Sequence, residues 1–425
     1  MRSTALRGRR RAIGLVARIG LLLPVLGPGL VSGFADNDAG GITTYSIAGA
    51  QFGYDLLWVI LASQVVLFFT QEVGARIGLA TGQGLSGLVR ERFGMRWAAF
   101  MAIVMLVANL GTTIAEFAGI GAALSLVGVP IPISAVLAAV AMVLLVSQGT
   151  FGRVQYVFVA AGLGVSIAYV VSALLAKPDW GTAATRLVIP ALGTSPAYWL
   201  AVVGTVGTTI TPWGQAFIQS YVVDKGLDRS NLGAERIDVG LGALLTNLIA
   251  GFIVVACAAT LFASGQHDLT TAGQAARALG PLAGTSATIL FAGGLLAASL
   301  LGLGVVPLTS AYTVCEAFGW EAGVQWRWHQ APAFYGLLAL FVGVGALFVL
   351  IPGLPLITLI YLTAVLNGIL LPFILVFVML LARDERLMGD LRSGWRLSVI
   401  GWSVTAVLVV MSLVLVWVGL FSSSP

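Results

Sequence analysis

The sequence predicts an all-α polytopic membrane protein of about eleven transmembrane helices, arranged as two inverted five-helix repeats and one final helix. Three observations carry this. Hydrophobic residues make up 59% of the 425 and charged residues only 9%, against about 25% charged in soluble domains. Apolar runs of about 20 residues, the length that crosses a bilayer, recur along the whole chain. Two of these runs, the first and the sixth, are interrupted at mid-depth by residues that stop a helix.

The first helix is expected near 20–50, after the basic lead MRSTALRGRRR. That lead superficially resembles a secretory signal, but no clear small-residue cleavage site follows, so the segment reads as a retained helix. Its middle holds Asp36, Asn37 and Asp38, then Ala39, Gly40 and Gly41. A carboxylate at the bilayer centre costs roughly 2.5–3.5 kcal/mol on insertion scales, and such residues face a cavity or pathway. Glycines beside it weaken the helix by about 1 kcal/mol each. The expected outcome is a helix broken at Ala39 and Gly40, with freed carbonyls and carboxylates aimed at a cation.

Further spans are expected near 54–75, 96–127, 131–147 and 154–176, completing a first repeat over 20–176. A loop at 177–196 leads to the sixth helix, near 197–223, which repeats the theme of the first. Pro212 removes a backbone donor and clashes with the turn before it, Gly214 follows, and Gly207, Thr208, Thr209 and Thr211 crowd the same region. Spans near 238–264, 285–317, 332–351 and 354–382 complete a second repeat over 197–382. A loop at 383–396 precedes the last helix, near 397–421, in the segment 397–425. Paired breaks in corresponding helices place the site where the two breaks meet.

Lysines and arginines set the orientation. With the basic N-terminal segment 1–19 in the cytoplasm, 19 of the 22 fall on that side, and only Lys177, Arg186 and Arg277 fall outside. The expected location is the cell membrane, with a cytoplasmic N-terminus and an extracellular C-terminus. The net charge of +5 lies in short loops between apolar runs and does not point to nucleic acid. The bilayer and a cation are the expected partners.

Asp38 is the first candidate cation ligand, a hard carboxylate that also suits an N-cap. Asp36 joins it across an unwound stretch, binding through water, and Asn37 either ligates or steadies the break. Carbonyls around Thr208, Thr209 and Thr211 are the partners from the sixth helix, and Gln215 reaches a water on the ion. Gln219, one turn on, is a pathway candidate that reads more often as interhelical glue. Glu116 on the third helix is the other deep acid, either a pathway residue or a structural hydrogen-bonding group. Asn109 and Asn367 are candidates for lining the route. Glu72 and Glu316 stand near cytoplasmic helix ends, where solvation by the interface is expected. Cys257 and Cys315 read as inert packing residues. His267 and His329 are isolated in loops, so a zinc enzyme site is not expected. No serine–histidine or cysteine–histidine constellation and no P-loop is present, which excludes the familiar hydrolases and an ATP-driven pump.

At these residues the chain resembles the Nramp family of divalent-metal transporters. The match runs from Gly27-Pro28 through Gly49-Ala50 and Gly53-Tyr54-Asp55-Leu56-Leu57-Trp58. It resumes at Arg90-Glu91-Arg92-Phe93, Ala115-Glu116-Phe117, the Gly207–Ser220 stretch and Leu371-Pro372-Phe373. The resemblance implies a LeuT-type fold. The family's Asp-Pro-Gly-Asn motif falls on Asp38-Ala39-Gly40-Gly41, which keeps the metal-binding aspartate and replaces the ligand asparagine by Gly41. Its Met-Pro-His falls on Thr211-Pro212-Trp213, so the thioether and the histidine are both gone. The family's carbonyl ligand falls on Thr208.

These departures point to hard ions, because an all-oxygen site suits magnesium, calcium or manganese. Two lost ligands are expected to enlarge the cavity for an ion that keeps its waters, and the pattern resembles the Nramp-related magnesium branch. Thr113 stands where the proton-coupled branch carries an aspartate, and the ninth helix has none of that branch's arginines. The expected function is import of Mg2+, with Mn2+ as a further substrate, by alternating access without proton coupling and without a cofactor. A divalent cation entering down a potential of 100 mV, inside negative, gains about 4.6 kcal/mol, so no second ion is needed. The rivals are a proton-coupled manganese or iron importer and a sodium-coupled carrier of an organic solute.

Overall fold

The computed structural model describes residues 27–147, 164, 166–323 and 326–421. All regular structure among them is helical. The chain opens with two half-helices, α1 (Pro28–Ala35) and α2 (Ala39–Phe52), followed by α3 (Leu57–Thr81), α4 (Leu85–Phe93), α5 (Met95–Ser125) and α6 (Ile131–Ser147). Next come α7 (Ser166–Leu175) and α8 (Trp180–Val188). A second pair of half-helices, α9 (Pro196–Thr209) and α10 (Pro212–Asp224), precedes α11 (Leu232–Cys257), α12 (Ala287–Phe318), α13 (Pro332–Val349), α14 (Leu356–Ala382) and α15 (Trp395–Phe421). Seven helices among the described residues are long and apolar enough to cross a membrane, and α6 and α7 are shorter apolar helices. Large apolar side chains such as Ile103, Leu137, Leu347 and Leu413 are exposed on the outside, as lipid-facing surface requires. The 31-residue α5 is about 46 Å long, more than a hydrocarbon core of about 30 Å.

Most boundaries fall where proline, glycine and the apolar runs place them, and the departures have physical reasons. The second helix runs on to Thr81 rather than ending near 75. Its charges do not stop it because Glu72 pairs with Arg76 at 3.3 Å and with Arg236 at 2.8 Å. Glu72 is therefore buried in an ion cluster, not solvated at the interface. Glu316 is half-buried and accepts the Ser220 hydroxyl at 2.8 Å, so it too has a protein partner where solvent was expected. The seventh helix starts at Leu232, before the expected 238, because Glu235 and Asp238 are buried at its start. The loop at 177–196 contains α8, whose N-terminus Asp179 caps through Thr182 N–H at 3.0 Å. Residues 154–163 and 165 of the expected fifth span, and residues 20–26 of the first, lie outside the described residues.

Glycine-on-glycine contacts hold the half-helices in place. A Cβ on Gly33 would lie 2.7 Å from the Gly242 carbonyl, and one on Gly242 would lie 2.2 Å from the Gly29 carbonyl, so α1 lies backbone to backbone on α11. In the same way Gly207 of α9 meets Gly368 of α14, with its Cβ position 2.2 Å from the Gly368 nitrogen. Such small-residue seams let membrane helices approach closely without a hydrophobic driving force. Asp238 completes the first seam by accepting the N–H groups of Gly27 at 3.0 Å and Gly29 at 2.6 Å. A carboxylate there complements the positive end of a helix.

Candidate functional site

Both breaks are built as helix N-caps. The first lies between Ala35 and Ala39, where Asp38 caps α2 and accepts Gly41 N–H at 2.8 Å. The second lies between Thr209 and Pro212, where Thr211 caps α10 and accepts Gly214 N–H at 3.2 Å. Pro212 takes the first helical position, where its missing donor costs nothing. The last carbonyls of α1 and α9 are left without intrahelical partners and carry the negative ends of two helix dipoles.

The breaks meet. Thr211 Oγ1 donates to Asp36 Oδ1 at 3.2 Å. Asp38 Oδ1 and Thr208 Oγ1 lie 3.0 and 3.3 Å from the point where a Gly40 side chain would begin. Glu116 reaches in from α5, its Oε2 3.5 Å from the N–H of Ala39. Its carboxyl packs over Gly302 of α12, where a Cβ would sit 2.6 Å away. Asp36, Glu116 and Gln215 are 0% exposed and Asp38 is 2% exposed, so the meeting point of the two breaks is buried.

Many polar atoms here have no protein partner: Asp36 Oδ2, both amide atoms of Asn37 and Gln215, Glu116 Oε1 and the Trp213 indole nitrogen. An unsatisfied buried polar group costs about 1–3 kcal/mol, so a cluster of them marks a place that water or an ion fills. Among the described residues no three His, Cys, Asp or Glu side chains form a metal cage.

The other candidates sort by their partners. Gln219 Nε2 donates to the Gln83 carbonyl at 2.9 Å. Asn109 Nδ2 donates to Ser310 at 3.0 Å, and Asn367 Nδ2 to Thr112 at 2.8 Å, so both brace α5 against its neighbours. Gly41 departs from expectation. Its missing side chain does not enlarge the cavity, because the Asp36 carbonyl lies 2.6 Å and the Tyr45 ring 3.4 Å from its Cβ position. The break folds back on itself and uses the space. Sequence reasoning passed over Tyr45, whose hydroxyl lies 2.8 Å from Thr209 Oγ1. It also passed over Ser32, which accepts Gln71 Nε2 at 2.8 Å. Helical spacing from Asp38 and Asp36 was the available signal for both.

Comparison with known proteins agrees with this architecture. The family model "Natural resistance-associated macrophage protein-like" (Nramp) matches residues 29–418. The divalent metal cation transporter MntH of Ralstonia nicotianae is 30% identical over 416 residues, covering 93% of this chain and 91% of that protein. MntH of Deinococcus radiodurans is 29% identical over 410 residues, covering 93% and 90%. The crystal structure of the Eremococcus coleocola manganese transporter superposes with a TM-score of 0.78 at 20% identity, over 95% of this chain and 89% of the other. MhsT in complex with L-phenylalanine superposes with a TM-score of 0.59 at 16% identity, over 92% and 97%. The chain belongs to the Nramp family.

Proposed function

We propose that the protein imports divalent cations, magnesium first and manganese as a further substrate, as largely hydrated ions, by alternating access and without proton coupling. One observation supports this most. The partnerless atoms beside the breaks include the acceptors Asp36 Oδ2, Asn37 Oδ1, Gln215 Oε1 and Glu116 Oε1. Magnesium sheds its waters reluctantly, and a bound water shell presents hydrogens that need such acceptors. The donors are oxygens and amides, with Thr211 and Trp213 where a softer site has a thioether and an imidazole.

In this reading Asp38 and Asp36 supply charge, the Thr208 carbonyl faces the ion, and Asn37 and Gln215 hold its waters. The breaks divide the chain into repeats at 20–176 and 197–382, with the N-terminus in the cytoplasm of a cell membrane and the C-terminus outside. A second reading, a proton-coupled manganese importer, draws on the names of the MntH relatives and the manganese transporter and on Glu116 beside the cap of α2.

Uptake of magnesium and of manganese into proteoliposomes, with an internal pH dye, tests both. The expected result is flux of both ions, its near-loss in Asp38→Ala, and no accompanying acidification. Manganese flux with acidification and no magnesium flux would establish the second reading.

A further inference from the structure

We infer that Tyr45 is a positioning residue that sets how tightly the cavity closes around the ion, by clipping α2 to the end of α9. The inference rests on the reading of the site above. Tyr45 stands two turns beyond Asp38 on the same face of α2 and is fully buried. Its hydroxyl meets Thr209 Oγ1 at 2.8 Å, and that oxygen lies 2.7 Å from the Thr205 carbonyl. Thr209 has one hydroxyl hydrogen, which it gives to the carbonyl, so the phenol is the donor to Thr209.

Thr209 is the last residue of α9, next to Thr208 and the unwound Ile210 and Thr211. A bond at this point holds the end of one half-helix against the other. The body of the ring fills the space beside Gly41, 3.4 Å from its Cβ position, and keeps water from entering there. A phenylalanine would fill the same volume. The hydroxyl adds direction: a buried polar pair is stable only when its bond is made, so it fixes one spacing between α2 and α9. That spacing matters for a hydrated ion. Magnesium demands near-ideal octahedral geometry, whereas calcium accepts a larger and more flexible shell.

The test is a double-mutant cycle on transport by the full chain in proteoliposomes, with Tyr45→Phe, Thr209→Val and the double variant. Tyr45→Phe keeps the ring, and a thermal melt checks that each variant is folded. The expected result for Tyr45→Phe is a KM for magnesium raised about 2- to 10-fold, the worth of one hydrogen bond, with kcat changed less and discrimination against calcium reduced. Thr209→Val leaves the phenol without an acceptor and is the worse single variant. The double variant, with neither polar group left over, is no worse than Thr209→Val. Unchanged KM and calcium discrimination in Tyr45→Phe, or strictly additive effects, would overturn the inference. If the native protein carries manganese and no magnesium, the proposed substrate falls. The same cycle run on manganese then decides the role of Tyr45 on its own.

Discussion

Thr211 Oγ1 lies 3.2 Å from Asp36 Oδ1 and so ties the break between α9 and α10 to the break between α1 and α2. The same hydroxyl accepts Gly214 N–H at 3.2 Å, so one side chain starts a helix and holds the buried carboxylate of the other break. Two jobs at one position make its replacement informative.

Thr211→Met places a thioether at the second break. It should raise uptake of manganese or cadmium relative to magnesium, because soft donors select softer ions. It also removes the cap of α10, which costs about 1 kcal/mol of stability and should show as a lower melting temperature. Competitive uptake of the three ions checks the first effect. An unaltered ion preference would mean that position 211 does not face the ion.

Gly41→Asn should fail to restore the family's ligand set. A side chain there would start 2.6 Å from the Asp36 carbonyl, a contact that only a rearranged break could relieve. The expected outcome is loss of flux for both ions and a lower melting temperature, in Gly41→Ala as well as in Gly41→Asn. Robust manganese transport by Gly41→Asn would show that the break has slack that the packing does not suggest.

Much of this was legible in the residues. The carboxylates and glycines at 36–41 and the proline at 212 dictate where two helices stop, and prolines at 130 and 132 set the start of α6 at Ile131. What was not legible depends on contacts between distant segments. The ion cluster of Glu72, Arg76 and Arg236 lets charged residues continue a helix. Gly41 reads as an absent ligand, yet whether an absent side chain leaves a hole depends on how the backbone closes over it. Asn109 and Asn367 are polar residues in apolar runs, and their partners Ser310 and Thr112 come from helices far apart in the chain.

Asp238 accepts two N–H groups at the start of α1, and hydrogen bonds to a charged group are each worth about 1.5–3 kcal/mol. Asp238→Ala should therefore loosen α1 from α11 and favour the state open on that side. A cysteine introduced at Ser32, with Cys257 and Cys315 replaced by alanine, reports this through its labelling rate from the face where α1 begins. Faster labelling in Asp238→Ala is expected. An equal rate would mean that the glycine seam alone holds α1.

Glu116 decides between the two functional readings. One oxygen lies 3.5 Å from the N–H of Ala39 and the other has no partner. In Glu116→Gln the amide oxygen can still face that N–H, and the amide nitrogen takes the place of the partnerless oxygen. If the ion enters with its water and no proton, magnesium flux in Glu116→Gln should stay within about 10-fold of native, the loss expected from one altered hydrogen bond. It should also show no acidification, as in the native chain. If Glu116 relays a proton, the native chain acidifies the vesicle as the metal enters, and the glutamine variant uncouples the two. Metal flux and the pH dye, recorded together in one preparation, separate a wall residue from a relay. Acidification that accompanies metal in the native chain and vanishes in the variant would sink the uncoupled mechanism while leaving Asp38 and the two breaks as the metal site.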